Sequence, residues 1–204
     1  MPLSPHPESA RLGPAIERCA HLVVPWAGDL FRFTNMTYAN LRDLVTGEGS
    51  RKAGGRWNPK EGFRALYFSL DAETALAEVL AQRRRQGLPD ADALPLVLFS
   101  CRANVERVLD LKDGRTRRVL GVTREQLIAE PWPVMQEAGQ EALTQAIGRL
   151  AREAALQGLL VPSAARPKGG NLVLFRDQVP EDQLLIINPE HFPAHRSRSR
   201  RQKS

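Results

Sequence analysis

The sequence predicts a single mixed α+β domain, and three observations carry that prediction. A hydrophobic share of 42% in 204 residues is enough to bury one core. Short runs rich in apolar and β-forming residues read as strands, and 3.6-residue apolar patterns read as helices. The two kinds interleave without the strict alternation of a doubly wound sheet.

Composition divides the chain into a leader (1–28), a core (29–189) and a basic tail (190–204). In the leader, Pro2, Pro5 and Pro7 predict a disordered start, and Pro14 to Val24 carries a short helical pattern. In the core, strands are predicted at Leu30–Phe33, Ala65–Ser69, Leu96–Cys101, Val105–Leu111, Leu159–Val161, Leu172–Phe175 and Leu184–Ile187. A helix is predicted after Asp71, a suitable N-cap, with Ala72, Ala75, Leu76, Val79 and Leu80 spaced as one buried face. A second is predicted from about Glu137 to Leu156, stopping before Gly158. Trp26 and Trp132 read as packing residues. The tail's alternating arginine and serine cannot build a core and predicts disorder.

The net charge of +6 is concentrated at the end. Arg196, Arg198, Arg200, Arg201 and Lys203 supply most of it, so the body is nearly neutral and the tail is the only candidate for contact with a nucleic-acid backbone. Cys19 and Cys101 are far apart, with no spacing that indicates a disulfide framework or a metal site, and a reducing cytoplasm fits best. No apolar run is long enough to span a bilayer, and no signal peptide is evident. The chain lacks a Gly-x-Ser-x-Gly elbow, a phosphate-binding P-loop and the Gly-x-Gly-x-x-Gly fingerprint, which disfavours a serine hydrolase and Rossmann-type hydride transfer.

The most unusual segment is Gly54-Gly55-Arg56-Trp57-Asn58-Pro59, followed by Gly62 and a strand with Tyr67 and Ser69. Adjacent glycines permit close approach of a ligand, and the Arg56 guanidinium offers a planar fork for phosphate or carboxylate. Tyr67 offers a flat face on which an aromatic base can stack. Glu78 stands as far beyond Tyr67 as Tyr67 does beyond Arg56, on the flank of the helix after Asp71. A carboxylate held near a ribose could stabilise positive charge that develops on the sugar as a base leaves. Taken singly, each feature has a plainer reading: a tight turn, a half-buried sheet tyrosine, a solvated glutamate.

Five separated motifs, taken in order, resemble the RES-domain family. They are Leu30-Phe31-Arg32-Phe33, Gly-Gly-Arg-Trp-Asn with Gly62, Leu66-Tyr67-Phe68-Ser69, Thr74 through Leu80, and Val161-Pro162-Ser163-Ala164-Ala165 leading to Gly170 through Phe175. The resemblance spans roughly Asp29 to Pro189. It implies a fold similar to that of ADP-ribosyltransferase toxins, and the toxin of a bacterial toxin–antitoxin pair that consumes NAD by breaking its nicotinamide–ribose bond, by hydrolysis or phosphorolysis. NAD is then substrate, with no prosthetic group and no metal. Carried over by motif, the catalytic residues are Arg56, Tyr67, Glu78 and Ser163. The dinucleotide contacts are Arg32, Arg56, Trp57, Asn58, Tyr67 and Ser69. Within that set, Arg32 and Arg56 would meet phosphate or ribose, Tyr67 would stack on the nicotinamide side, Glu78 would face the sugar cation, and Ser163, by itself a turn-forming loop serine, would hydrogen-bond.

The implied partner is an Xre-like helix-turn-helix antitoxin that covers the cleft in an oligomeric complex, with DNA contact only through the antitoxin or the basic tail, and no membrane. Two alternatives remain: an ADP-ribosyltransferase that modifies a protein, and a non-catalytic nucleic-acid-binding protein that uses the tail.

Overall fold

The computed structural model describes residues 3–36, 39–90 and 94–192. The arginine-rich run expected to be disordered lies outside them. In chain order the elements are α1 (Ser9–Arg18), β1 (Val23–Asn35), α2 (Leu41–Val45), α3 (Glu48–Ala53), β2 (Ala65–Ser69), α4 (Ala72–Arg85), β3 (Leu96–Asp110), α5 (Gly114–Leu120), α6 (Arg124–Ala129), α7 (Trp132–Glu137), α8 (Leu143–Glu153), β4 (Gly158–Pro162), β5 (Gly170–Phe175) and β6 (Leu184–Ile186). This is the mixed α+β class expected from the sequence. None of the described helices is long and apolar enough to cross a membrane.

The strands pair in the order β1-β2-β5-β4-β3-β6, and β1 also pairs with β3, so the first five close into a ring with β6 outside it. The β3–β4 pairing is parallel and the others are antiparallel. Alternation along each strand then sorts side chains into two cores. Leu66, Phe68, Leu172 and Leu174 join Phe99 and Val105 in one. Ala65, Val173 and Phe175 turn the other way, against Leu12 and Ile16 of α1 and Ala146 and Ile147 of α8.

Several expectations are corrected by packing. The helix of the leader begins at Ser9, ahead of Pro14, and ends at Arg18, because Val23 and Val24 are drawn into pairing with Leu109 and Val108 of β3. The register shifts between Val24 and Trp26, where Pro25 has no N–H to donate. The chain start is tied down as well: the Ser4 N–H donates to the Gly139 carbonyl, and Ser4 O accepts from the Glu141 N–H. The leader thus lies against α8, and β1 runs straight through position 28.

The two strands expected at 96–101 and 105–111 are one. Arg102, Asn104 and Glu106 fall on the exposed face while Cys101, Ala103 and Val105 are buried, so polar residues do not interrupt the pleat. Arg102 also pairs with its cross-strand neighbour Asp29, Nε to Oδ1 at 2.7 Å.

The helix expected from about Glu137 to Leu156 is α8 alone, which begins only at Leu143 and ends at Glu153; the stretch before it leaves α7 and bridges to Ser4 through Gln140. In α4, Asp71 caps as expected, its carboxylate accepting from the Thr74 N–H at 2.7 Å. The apolar stripe of that helix faces inward only in part, through Ala75. Thr74 and Ala75 are its buried residues, and Leu76 is 39% exposed. The anchoring of Thr74 against Gly169 turns the helix so that its Glu78 flank meets the sheet.

The two cysteines are free and buried. Burial pushes the Cys101 thiol up to about 12, which removes it from nucleophilic chemistry at neutral pH.

Candidate active site

The Gly-Gly-Arg loop is fixed from three sides. Asn58, fully buried, donates from Nδ2 to the Ser50 carbonyl at 2.8 Å, with longer bonds to the carbonyls of Pro59 and Phe63. Its Oδ1 accepts the Tyr67 hydroxyl at 2.7 Å. The Tyr67 oxygen in turn accepts the Trp57 N–H at 3.0 Å. From above, Gln145 Nε2 of α8 donates to the Gly55 carbonyl at 3.0 Å.

Glycine is required at the contact with Tyr67: a Cβ on Gly55 would lie 2.4 Å from the hydroxyl oxygen. The same close fit recurs at Gly148 of α8, where a Cβ would lie 1.9 Å from the Trp57 carbonyl oxygen.

This geometry refines three of the expected contacts. The Trp57 ring is 3% exposed and belongs to the helix-side core, so it anchors the loop and presents no face to a ligand. Asn58 directs its side chain into the loop and to Tyr67. The Tyr67 hydroxyl is engaged on both sides, and burial holds its pKa well above the ordinary value, so it stays a neutral positioning group.

Arg56 stands at the mouth of the loop. Its Nη1 donates to the carbonyls of Leu127, at 3.1 Å, and Glu130, at 3.2 Å, while Nε and Nη2 have no partner among the described residues. Burial lowers its pKa, as does the like charge of Arg85 at the end of α4; Glu130, Glu78 and Tyr67 act in the opposite sense. Those influences put Tyr67, Glu78 and Arg85 in the electrostatic neighbourhood of Arg56. Arg56 remains charged.

Opposite lies a chain of hydrogen bonds that crosses three elements. Ser69, at the end of β2, donates Oγ to Asn171 Oδ1 on the paired strand β5 at 2.7 Å. Asn171 Nδ2 donates to Glu78 Oε1 at 2.7 Å, and Ser163 Oγ donates to the same oxygen at 2.7 Å. Ser163 is itself oriented by the N–H groups of Ala165, at 3.1 Å, and Arg166, at 3.0 Å. Glu78 Oε2 has no partner among the described residues and is available to a ligand. No histidine takes part among the described residues. A carboxylate with one oxygen fully bonded and the other free can steady a positive centre and cannot easily drift.

Seven of the eight expected residues thus fall into two groups: Arg56, Trp57, Asn58 and Tyr67 in and around the loop, and Ser69, Glu78 and Ser163 in the hydrogen-bond chain through Asn171. Arg32 is not joined to them by a hydrogen bond or ion pair. It follows Phe31, the Cα partner of Ser69, on β1. Burial lowers its pKa, and its guanidinium has no partner among the described residues.

Sequence reasoning missed the residues that hold this arrangement. Glu130 offers its backbone carbonyl to Arg56 and its carboxylate to the N–H groups of Leu143, at 2.7 Å, and Thr144, at 3.0 Å, at the start of α8. Gln136 donates to the Ala53 carbonyl and accepts from the Lys60 N–H, both at 3.0 Å. Gln145 was equally silent. Only Asn171 had a signal, its position beside the glycines that open β5.

The scaffold defines a single-domain α+β protein built on a closed strand ring, with Glu78 of a flanking helix anchored to β5 and to the loop after β4. Residues 29–197 match the RES domain, and the chain belongs to that family. It is 28% identical to the NAD(+) phosphorylase MbcT of Mycobacterium tuberculosis over 143 residues, 69% of this chain and 70% of that protein. The MbcT of Mycobacterium bovis matches to the same extent. The crystal structure of the M. tuberculosis MbcT–MbcA toxin–antitoxin complex superposes with a TM-score of 0.71 at 26% identity, covering 87% of this chain and 89% of that one.

Proposed function

We propose that this protein is the toxin of a toxin–antitoxin pair and that it depletes NAD by phosphorolysis of the nicotinamide–ribose bond. The observation that carries the reading is Glu78: one oxygen held by Ser163 and Asn171, the other without a partner among the described residues, with its charge felt by Arg56.

The chemistry suits these residues. Arg56 would grip the pyrophosphate with its two free nitrogens. As the bond from C1 of the ribose to the ring nitrogen lengthens, the electron pair passes to the nitrogen and neutralises the pyridinium, so nicotinamide departs without needing a proton. The positive charge left on the sugar faces Glu78. A phosphate oxygen then bonds to C1, giving ADP-ribose 1″-phosphate. A site with no histidine fits a leaving group that needs no acid.

Similarity to a protein named as an NAD(+) phosphorylase, and to a chain solved with its antitoxin, supports the reading. The antitoxin would be a helix-turn-helix protein that covers the cleft, and the pair would work in the cytoplasm, with DNA contacted through the antitoxin or the basic tail. Arg32 would approach ribose or phosphate from β1.

Purified protein incubated with NAD, with and without inorganic phosphate, tests the reading by product analysis. Nicotinamide with ADP-ribose 1″-phosphate, formed only with phosphate, is expected. Free ADP-ribose at an unchanged rate without phosphate would replace phosphorolysis by hydrolysis. Labelled protein would indicate transfer, and intact NAD would remove the enzyme reading.

A further inference from the structure

Against the Ser163–Gly169 loop lies a recess of about 130 Å³ lined by Lys112, Arg117, Arg124 and Lys168 together with Pro162, Pro167 and Gly169, and Glu78 is not part of its lining. Two of the cations are tethered. Arg117 Nη1 donates to the carbonyls of Leu111, at 2.8 Å, and Lys112, at 2.6 Å. Arg124 Nη2 donates to the Pro167 carbonyl at 2.8 Å. Each tether fixes a guanidinium plane and leaves its other nitrogens available. The Lys112 ammonium lies over Gly170, 2.8 Å from where a Cβ would stand.

None of the four forms an ion pair among the described residues. The nearby acids are engaged elsewhere: Asp113 with Arg115 at 2.8 Å, and Asp110 Oδ1 with the N–H groups of Lys112 and Asp113. Four like charges around so small a space repel one another, and that repulsion is relieved by an anion. Two rigid forks and two ammonium groups supply more donors than a carboxylate can use. A tetrahedral phosphate, with acceptor oxygens pointing several ways, matches them.

We propose that this recess binds a phosphate group, at a place separate from the Glu78 cleft. Its position gives occupancy a consequence. Arg124 is the first residue of α6, and the carbonyls that hold Arg56 belong to Leu127 of the same helix and to Glu130 just beyond it. Pro167 and Gly169 close the loop that begins at Ser163, whose N–H donates to the Gly169 carbonyl at 3.1 Å. An anion there braces, from behind, the supports of both Arg56 and Ser163. Its source is either free phosphate or the phosphate of a nucleotide.

Titration of the full chain with inorganic phosphate, followed through backbone amide NMR shifts, tests this without any turnover. Saturable shifts are expected around 112–117, 124 and 167–169. They should weaken about tenfold in a K112Q/K168Q double variant, whose exposed side chains leave the fold alone. A second titration with ADP-ribose separates the sources: competition for the same residues assigns the site to a nucleotide phosphate, and independent binding assigns it to the free ion. Shifts confined to the surroundings of Arg56 and Glu78, or unchanged affinity in the double variant, would overturn the proposal.

Discussion

Ser163 and Glu78, 85 residues apart, meet through a 2.7 Å hydrogen bond in which the serine hydroxyl donates to one carboxylate oxygen. The bond joins the loop after β4 to the flank of α4. It explains how a glutamate on a partly exposed helix acquires a single orientation. With Asn171 on the same oxygen, Glu78 is aligned before any ligand arrives.

Replacing Glu78 by Gln preserves size and removes the charge. NAD cleavage should fall by about 100-fold or more, with NAD binding retained, as measured by nicotinamide release and by calorimetry. Wild-type turnover would remove the carboxylate from the chemistry.

Replacing Ser163 by Ala leaves Glu78 with Asn171 alone. Loss of one hydrogen bond to a charged group should lower kcat by roughly tenfold with little change in KM. A rise in KM at constant kcat would make Ser163 a binding residue instead.

Arg56→Lys keeps the charge but loses the planar fork and the tether to Leu127 and Glu130. NAD affinity should weaken by about tenfold or more, measured on the otherwise inactive Glu78→Gln background so that substrate survives. Equal affinity would exclude the clamp.

Gly148→Ala tests the packing that supports the loop. The added methyl would press on the Trp57 carbonyl, so α8 or the loop must move, and stability should fall by about 1–3 kcal/mol in urea denaturation. Activity should fall with it, although Gly148 is remote from Glu78. Full activity at reduced stability would show that the loop keeps its geometry without α8.

Asp71 gives a pH signature. Burial works against its charge, but the Thr74 backbone and hydroxyl and Arg166 outweigh burial and hold the folded pKa below the ordinary carboxylate value. Its contribution is therefore complete above the unfolded pKa of about 3.9 and lost as pH falls through the lower folded value. Asp71→Ala should cost about 1 kcal/mol at pH 7, with the difference from wild type shrinking towards pH 3. An equal loss at both would mean that the carboxylate acts through shape alone.

The sequence displayed much of the site because its key groups sit in short motifs with local causes: a Gly-Gly turn before an arginine, a strand tyrosine, an N-capped helix. The strand pattern was legible for the same reason, since alternation is written in neighbouring residues. What was hidden depends on contacts far apart in the chain. Leu76 and Leu80 read as a buried stripe, yet the face that turns inward is set by Thr74 against Gly169. Val23 and Val24 read as the end of a helix until β3 offered them a partner. The acid that caps α8 and lends its carbonyl to Arg56, Glu130, sits between two prolines and a short helix, with no local pattern to mark it.

The circular arrangement of β1, β2, β5, β4 and β3 has a mechanical outcome. Ser69 and Asn171 ride on adjacent staves of a hoop, so neither can swing outward unless the hoop is cut. The entropy of bringing Ser69, Asn171 and Glu78 to register is settled when the polypeptide folds, and a ligand arriving there would meet a rigid rim on this side. Any give in the assembly has to come from the loops that carry Arg56 and Ser163.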